Sequence, residues 1–356
     1  MGIKIVRVGL VGAGRVAQHY KKILDSGDVS GFAIVGVCDI KAEVAAELAA
    51  HWNCRSYIDY FAMLREARPD LVLVLTPSGR HHQHVRIALE NGCNVLVEKP
   101  AAMLPAEARE MSRLAKEKQL MLGVAFQNRF NPAIQCLRRA VQSKRFGKII
   151  TATIRLRWCR NQDYYEDGWH GTWAQDGGVI NQQAIHHVDA LNWLMGPVNS
   201  VCAAIANRLN QLEAEDTMIA SLKFADGSLG TIEATTAARP QDFEASLSVV
   251  GEKGLVVVGG IALNKIETWK FVEAIDGDDE VAARYSEEVP NGYGLSHGRL
   301  LQETIDRLIT GDIDAPVPVE GCIATTELIH ALYSSHETGG WASLANKPLS
   351  NKLGVK

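Results

Sequence analysis

The chain has 356 residues, of which 47% are hydrophobic and 22% are charged, and its formal net charge is −4. This composition is typical of a globular protein and excludes a disordered chain. No run of about 20 apolar residues is present, so no membrane span is expected. The mildly acidic balance offers no basic surface for nucleic acid or an anionic membrane. The length predicts two domains.

Seven cysteines are scattered along the chain without Cys-x-x-Cys spacing. Their odd number and irregular intervals argue against a disulfide framework and against a zinc site. The first ten residues resemble a strand rather than a secretory signal. We therefore expect reduced thiols, no metal and a cytoplasmic location.

The first predicted element is a strand over residues 4–11, which leads into a glycine-rich loop and a helix over residues 18–25. The loop, Gly-Ala-Gly-Arg-Val-Ala, is a Gly-x-Gly-x-x-Ala motif. Gly12 permits the tight turn, Gly14 lets the backbone approach a pyrophosphate, and the helix N-terminus faces the phosphates. Alone, the motif is equally compatible with an ordinary glycine turn; its strand–loop–helix context favours a dinucleotide site.

The second predicted strand, over residues 33–39, ends in Asp39. A carboxylate at this point accepts hydrogen bonds from the ribose hydroxyls of NAD and repels the 2′-phosphate of NADP. Lys41 lies nearby and moderates that preference, and Asp39 could instead cap the following helix. With the glycine loop upstream, we predict NAD as the cofactor.

Helices and apolar strands continue to alternate through the first third of the chain. The predicted helices cover residues 42–52, 62–67, 82–91 and 106–118, and the predicted strands cover residues 71–75, 94–97 and 121–125. This pattern predicts an α/β fold with a doubly wound parallel sheet, and we assign residues 1–122 to an NAD-binding Rossmann domain. Polar clusters follow three of the strands, at residues 76–81, 98–100 and 127–131, where such sheets bind ligands.

Lys99 stands directly after an apolar strand and before Pro100. A lysine in that position can donate a hydrogen bond to a substrate hydroxyl, and Glu98 could hold it in place or partly neutralise it. Sequence position alone favours an ordinary surface lysine at a turn.

From residue 123 onward, strands follow one another with turns between them. The predicted strands cover residues 148–158, 198–206, 216–224, 228–236, 244–250 and 255–258. Asp226 and Gly227 form a hairpin signal between two of them. We predict a C-terminal α+β domain over residues 123–356, with a largely antiparallel open sheet. The acidic segment at residues 275–280 is predicted to be a solvated loop.

Residues 177–196 predict one helix, because two glycines open the segment and Gly196 with Pro197 ends it. At about 100° per residue, Gln182, His186, Asp189 and Trp193 share one stripe opposite an apolar stripe. His187 projects near the apolar edge and is predicted to be packed.

The polar stripe of this helix has two interpretations. A half-exposed amphipathic helix would show the same two faces, but it would usually carry Lys and Glu, and this helix carries neither. An imidazole in a desolvated cleft, with Asp189 one turn away, is suited to act as a general base. We therefore predict His186 as the base.

Five motifs resemble those of the Gfo/Idh/MocA oxidoreductases: Gly-Ala-Gly-Arg-Val-Ala, Thr-Pro-Ser-Gly-Arg-His-His, Glu-Lys-Pro, Gln-Asn-Arg-Phe-Asn-Pro-Ala and the glycine-pair helix ending in His-His-Val-Asp. The resemblance extends over nearly the whole chain, including residues 291–297 and the C-terminal helices. It implies that Lys99, His186 and Gln182 form the catalytic set. The family commonly has Asp where this chain has Gln182, which can orient hydroxyls but cannot take a proton. Ser78 likewise replaces the usual Asn.

The motifs and the resemblance together give the expected binding residues. For NAD they are Gly12, Gly14, Arg15, Val16, Asp39, Thr76, Pro77, His81, Glu98, Lys99 and Gln127. For the substrate they are Lys99, Arg129, Asn131, Arg157, Arg160, Tyr165, Gln182 and His186.

Residues 157–165 and 169–173 are similar to a narrower branch of the family. That branch oxidises C3 of UDP-N-acetylglucosaminuronic acid with NAD during surface-polysaccharide (lipopolysaccharide) synthesis. The likeness implies that the C-terminal domain binds a UDP-sugar substrate and forms the subunit contacts of a homo-oligomer, a dimer or a tetramer. Two alternatives remain: an inositol or free-sugar dehydrogenase of the same family, and a non-catalytic NAD-binding sensor. Retention of both Lys99 and His186 argues against the sensor.

Overall fold

The computed structural model describes residues 5–355, which divide into two compact units. The first unit comprises the described residues up to Phe126 together with His297–Ile323, and the second comprises Gln127–Ser296 with the described residues from Ala324 onward. The predicted boundary, between residues 122 and 123, lies a few residues before this division. The assignment of residues 297–323 to the first unit was not predicted.

The first unit is built on strands that alternate with helices. Its elements up to residue 126 are β1 (Val6–Val11), α1 (Arg15–Asp25), β2 (Phe32–Cys38), α2 (Ala42–His51), β3 (Arg55–Tyr57), α3 (Tyr60–Ala67), β4 (Leu71–Val74), α4 (His81–Glu90), β5 (Asn94–Val97), α5 (Pro105–Lys118) and β6 (Leu122–Val124). The strands pair in parallel in the order β3-β2-β1-β4-β5-β6. The predicted doubly wound parallel sheet is confirmed. Only the three-residue β3 was not predicted, because so short a strand shows no periodicity.

Burial explains why the strands of this sheet are almost continuously apolar. Every residue of β4 is buried, because helices cover both faces of a doubly wound sheet. At the β6 edge, the Val124 N–H donates to the Val317 carbonyl at 2.9 Å, and Gly123 forms a bridge with Pro318. These contacts attach residues 297–323 to the Rossmann sheet.

The second unit is built around a single large sheet. In chain order, the elements after residue 126 are α6 (Pro132–Gln142), β7 (Ile149–Arg157), α7 (Val179–Gln182), α8 (Ile185–Met195), β8 (Val198–Ala206), β9 (Thr217–Phe224), β10 (Leu229–Thr235), β11 (Glu244–Gly251), β12 (Gly254–Gly259), β13 (Lys265–Phe271), α9 (Val281–Tyr285), α10 (Ser296–Thr310), α11 (Glu320–Thr338) and β14 (Ala342–Ser343). Most of α10 and the first residues of α11 belong to the first unit.

The strand order of the second sheet is β13-β12-β11-β7-β10-β9-β8-β14. Among the described strands, β7 and β10 pair in parallel and the other neighbours are antiparallel. The predicted largely antiparallel sheet is confirmed, although α6, β13, α9 and β14 were not predicted. On β7, the buried side chains of Ala152, Ile154 and Leu156 alternate with more exposed ones. Helix α8 packs on β7.

The predicted single helix over residues 177–196 is wrong in one respect: it consists of two segments, α7 and α8. At their junction, the Ala184 N–H donates to the Val179 carbonyl five residues earlier, and the His187 N–H donates to the Ala184 carbonyl three residues earlier. This irregular hydrogen bonding interrupts the repeat of 3.6 residues. A helical projection across residues 182–186 therefore misplaces the side chains.

The acidic segment at residues 275–280 is not simply solvated. Asp278 accepts hydrogen bonds from both terminal nitrogens of Arg145, at 2.8 and 2.7 Å, and from Trp269 Nε1 at 2.8 Å. These donors hold the pKa of Asp278 well below its ordinary value. Part of the predicted loop is thus an anchored turn.

Within residues 5–355, no helix has the length and apolar character needed to cross a bilayer. All seven cysteines lie in this described range, and none of them forms a disulfide. The same residues contain no cluster of His, Cys, Asp and Glu that could hold a metal ion.

Candidate active site

The glycine loop between β1 and α1 has the shape that a diphosphate requires. Gly12 has a φ of +93°, and a Cβ there would lie 2.7 Å from the Leu75 carbonyl oxygen. Only glycine fits that position. At Gly14, nothing approaches within 4 Å of the Cβ position, so the backbone is open to a ligand. Helix α1 begins at the next residue, Arg15, with its first N–H groups beside this opening.

Asp39 connects the glycine loop to the start of α2. Its Oδ2 accepts the Ala13 N–H at 2.8 Å, and its Oδ1 accepts the Lys41 N–H at 2.9 Å. Each carboxylate oxygen has a second lone pair, which can accept a ribose hydroxyl. Asp39 is not the N-cap of α2, because that position is Lys41, so the contact with the ribose stays its predicted role. Loop and carboxylate together fit NAD.

The turns after β4 and β5 are linked by His81. Its Nδ1 lies 2.7 Å from the Pro100 carbonyl oxygen, and its Nε2 lies 2.7 Å from the Thr76 carbonyl oxygen. The Thr76 hydroxyl lies 2.9 Å from His84 Nδ1, and Ser78 is buried. His81 thus fixes the two turns that carry the remaining predicted cofactor residues of the first unit.

Glu98 anchors the turn in which Lys99 lies. Its Oε1 accepts the Tyr20 hydroxyl at 3.0 Å and lies 3.8 Å from His297 Nε2. Its Oε2 accepts the Lys99 N–H at 3.2 Å. Burial raises the pKa of Glu98, and the charge of Lys99 opposes that shift. The carboxyl group therefore holds the backbone of the predicted catalytic lysine.

In the second unit, Gln182 contacts a buried carboxylate that the sequence analysis missed. Asp176 is 1% exposed; its Oδ1 accepts Gln182 Nε2, and its Oδ2 accepts the Gly171 N–H at 2.8 Å. An ionised carboxylate only accepts hydrogen bonds, so the Gln182 amide must direct Nε2 toward it. Gln182 Oε1 is then restricted to accepting from another group. An acidic residue directly before a glycine pair was the available signal.

The adjacent histidines of α8 lie in different environments. His186 is partly exposed, whereas His187 is 1% exposed and its ring meets the Trp158 ring edge-on at 6.0 Å. Neither ring nitrogen of His187 has a hydrogen-bond partner among the described residues. Burial lowers the pKa of His187 to about 4. The prediction that His187 is packed is confirmed.

Asp189 does not share an open polar face with His186, contrary to the helical projection. It is 1% exposed and accepts two hydrogen bonds from Arg129, at 2.8 and 2.7 Å, and one from the Thr325 hydroxyl at 3.0 Å. The Arg129 guanidinium also lies 5.5 Å from the centre of the Trp193 ring. Asp189 therefore orients Arg129 rather than the predicted base.

Asn131 and Arg157, both predicted to bind substrate, already have protein partners. Asn131 Nδ2 donates to the Ala262 and Leu263 carbonyls at 2.8 and 3.2 Å, and its Oδ1 accepts the Ser296 hydroxyl. Arg157 forms ion pairs with Glu233 at 2.6 Å and with Glu244 at 3.0 Å. The substrate contacts expected of Asn131, Arg129 and Arg157 stay predictions.

Arg160 and Tyr165 both contact Thr236, Arg160 through its backbone N–H and Tyr165 through its hydroxyl. Arg160 pairs with Asp242 at 3.0 Å, and its guanidinium lies 5.1 Å from the Trp158 ring. The Tyr165 hydroxyl lies 2.8 Å from Thr236 Oγ1, and burial, with a smaller contribution from the charge of Asp176, raises the pKa of Tyr165 to about 12. A neutral phenol and a guanidinium are thus available on this part of the second unit.

Two further polar groups complete the description of the second unit. Gln127 is buried, and its Oε1 accepts no hydrogen bond from any residue in the described range. His170, which sequence analysis did not single out, is 8% exposed, with Nδ1 2.6 Å from Asp167 Oδ2 and its ring centre 3.7 Å from that of Trp169. Its position inside the 169–173 motif was the available signal.

Comparison with known families identifies both parts of the chain. Residues 6–126 match the oxidoreductase family with an NAD-binding Rossmann fold, and residues 134–257 match the GFO/IDH/MocA C-terminal domain. This chain belongs to the Gfo/Idh/MocA oxidoreductase family. It is an NAD-dependent sugar or polyol dehydrogenase, and NAD is its cofactor. The alternative of a non-catalytic sensor is therefore set aside.

Individual relatives cover nearly the whole chain. A WlbA dehydrogenase from Bordetella pertussis, solved with NADH and UDP-GlcNAcA, is 33% identical, with a TM-score of 0.89 over 96% of this chain and 99% of that one. The D-glucoside 3-dehydrogenase of Escherichia coli is 28% identical over 94% of this chain and 96% of its own. The NAD-dependent scyllo-inositol 2-dehydrogenase of Bacillus subtilis is 24% identical over 90% of this chain and 93% of its own.

Proposed function

We propose that this enzyme oxidises the C3 hydroxyl of UDP-N-acetylglucosaminuronic acid. The observation that carries the proposal is the likeness to the WlbA dehydrogenase, which covers 96% of this chain and 99% of that one. The WlbA structure contains that nucleotide sugar. The two other relatives named above are 28% and 24% identical to this chain and act, by name, on a glucoside and an inositol.

Oxidation of a secondary alcohol needs a base for the hydroxyl proton as the hydride departs. NAD supplies the hydride acceptor. His186, partly exposed on α8, is proposed as the base. Lys99, whose backbone is anchored by Glu98, is proposed as the cation that stabilises charge developing on the hydroxyl oxygen. Gln182 is proposed to accept a hydrogen bond from a sugar hydroxyl, because its amide nitrogen is directed at Asp176.

A UDP-sugar acid carries a diphosphate and a carboxylate, both of which suit the planar fork of arginine. Arg160 is proposed for one of these groups, since its single ion pair with Asp242 leaves further N–H donors. Tyr165 is proposed to contact sugar hydroxyls. Arg129, Asn131 and Arg157 are also proposed to contact the substrate. Because these side chains already bind other residues of the protein, they have fewer donors left for it than Arg160 has.

The remaining expectations belong to the same proposal. The second sheet exposes large apolar side chains, among them Ile219 at 60% and Leu229 at 55%. Apolar side chains on an open sheet face favour contact with another subunit, so we propose a homo-oligomer. A cytoplasmic location and a role in lipopolysaccharide synthesis follow from the proposed substrate.

A substrate panel tests the proposal. NADH formation is measured with UDP-N-acetylglucosaminuronic acid, UDP-N-acetylglucosamine, inositols, a glucoside and free aldoses. The expected result is a kcat/KM for the nucleotide-sugar acid at least about 100-fold above the others, equivalent to about 2.7 kcal/mol of transition-state binding. Preference for an inositol or a free sugar would replace the proposed substrate.

Lys99→Met provides the matched test of the catalytic assignment. It should remove most turnover and leave NAD binding, measured by fluorescence titration, nearly intact. A parallel loss of NAD affinity and stability would instead identify Lys99 as a structural residue.

A further inference from the structure

Glu215 is a buried acid beneath the glycine-pair turn that precedes the histidine-bearing helix. It lies just before β9 and is 1% exposed. Its Oε1 accepts the Ile180 N–H at 3.1 Å and the Tyr333 hydroxyl at 3.0 Å. Its backbone carbonyl accepts the Val179 N–H at 2.9 Å. The same residue therefore receives two consecutive N–H groups of α7 through side chain and backbone.

Tyr333 completes this arrangement from α11. Its hydroxyl accepts the Gly178 N–H at 3.1 Å while it donates to Glu215. The N–H groups of residues 178, 179 and 180 are thus all satisfied by Glu215 and Tyr333. These are the groups that a helix start leaves without partners inside the helix.

Gly178 packs directly on the Glu215 carboxyl group. A Cβ at residue 178 would lie 2.1 Å from Glu215 Oε2 and 2.2 Å from its carboxyl carbon. Such a contact is impossible, so the approach requires glycine. This close fit explains why the second glycine of the pair occurs at the start of α7.

Backbone hydrogen bonds connect α7 to α8 and so fix the start of α8 relative to α7. The Gln183 and Ala184 N–H groups both donate to the Val179 carbonyl, and the Val188 N–H donates to the Ala184 carbonyl. Val179, whose N–H is bound by Glu215, therefore determines where α8 begins, at Ile185. His186 follows directly.

We infer that Glu215 is a positioning residue, which, together with Tyr333, fixes the segment from Gly178 to Gln182 and thereby the placement of His186. The inference concerns residues that do not themselves touch the reacting atoms, and it rests on the proposed function of His186 as the base.

The surroundings of Glu215 keep it neutral. Burial, with a smaller contribution from the charge of Asp176, raises the pKa of Glu215 to about 8. The groups that face it are the Tyr333 phenol, whose own pKa is raised by burial, the Asp176 carboxylate and the uncharged start of α7. Oε2 has no hydrogen-bond partner within the described residues, so only the two donors on Oε1 offset the cost of burying an ionised form, and burial outweighs them.

Ionisation of Glu215 would therefore place a buried negative charge beneath the turn, near the charge of Asp176. The turn would lose its fit at alkaline pH, and turnover would fall. A group whose pKa is raised on folding contributes stability that is present at low pH and lost as the pH rises through its folded pKa. Stability should therefore decline toward pH 8.

Glu215→Gln is the decisive variant, because it keeps the shape and the acceptor but cannot ionise. Wild type should lose turnover with an apparent pKa near 8, and in Glu215→Gln this alkaline limb should move up by at least about one pH unit. The decline in denaturant midpoint between pH 5 and 9 should also flatten. Glu273→Gln, at an exposed glutamate, is the matched control and should reproduce the wild-type profiles.

Two further variants separate positioning from stability alone. Glu215→Leu keeps the volume but removes the acceptor, and Tyr333→Phe removes the link to Gly178. Both should lower kcat about 10- to 100-fold in the folded protein, as expected for misplacement of a reacting group, with a smaller change in the Kd of NAD.

The measurement of unfolding does not depend on which substrate the enzyme oxidises. If no UDP-sugar is oxidised but Glu215→Gln still flattens the pH dependence of unfolding, the proposed function fails and the buried neutral acid is retained. If Glu215→Gln matches wild type in both profiles, or does not fold, the inference is overturned. Unchanged kcat in Glu215→Leu would likewise overturn the positioning role.

Discussion

The two units bring their functional residues together in different ways. In the first unit, Gly12, Asp39 and Lys99 each follow a strand of one parallel sheet, whose carboxyl ends share an edge. In the second unit, partners come from distant parts of the chain, as in the Arg129–Asp189 pair, 60 residues apart. In the first unit, the place of a functional residue in the sequence therefore indicates its place in the fold. In the second unit, the place of such a residue is known only from its contacts in the folded structure.

The sharpest test of this difference uses the adjacent histidines. His186→Asn should lower kcat by about 10²–10⁴, the span for a lost general base, with little change in melting. His187→Asn should retain most turnover in the folded protein and lose about 1–3 kcal/mol of stability, because it alters a packed side chain. Steady-state kinetics and denaturant unfolding measure the two effects. The opposite pattern would show that the family alignment is displaced by one residue.

The buried His187 makes the stability of the protein depend on acidic pH. Because burial lowers the pKa of His187 to about 4, the unfolded chain binds more protons than the folded one below its ordinary pKa. Stability should fall as the pH drops from about 6.5 toward 4. His187→Asn should flatten part of that slope. Burial also lowers the pKa values of His81 and of the half-buried His19 to about 4, and these two side chains account for a further part of the decline in stability.

Breaking the Arg129–Asp189 pair should have the next largest effect. Asp189→Asn leaves a guanidinium that is 10% exposed without its countercharge, and should cost about 3–5 kcal/mol of unfolding free energy. The double variant Arg129→Met, Asp189→Leu should cost less than the sum of the single variants. A Kd effect of Arg129→Met on the substrate, without loss of stability, would instead support Arg129 as a binding residue.

The smallest expected effect concerns cofactor choice in the first unit. Wild type should bind NAD more tightly than NADP, because Asp39 would face the 2′-phosphate. Asp39→Ser together with Ile40→Arg should narrow the affinity ratio by about 10-fold, or about 1.4 kcal/mol, measured by fluorescence titration. Equal binding of both cofactors by the wild type would contradict the assignment and weaken the comparison of the two units.

Sequence reasoning predicted the second unit unevenly. Its sheet was predicted because exposed and buried side chains alternate along the strands, as on β9. The two-segment form of residues 179–195 was not predicted, because the break depends on where Glu215 and Tyr333 hold residues 178–180. Asp189 was misassigned for a related reason: a projection from one helix contains no information about Arg129.

The sequence by itself determined the Rossmann sheet, the glycine loop, the acid at the end of β2 and the lysine after β5, because these features follow from local periodicity and from adjacency along the chain. Tertiary structure alone decided that Asp176 meets Gln182, that Asp189 is bound to Arg129 and that Glu215 supports the turn before His186. The physical reason is that a buried polar group must find a partner, and a folded chain can supply it from any distance in sequence.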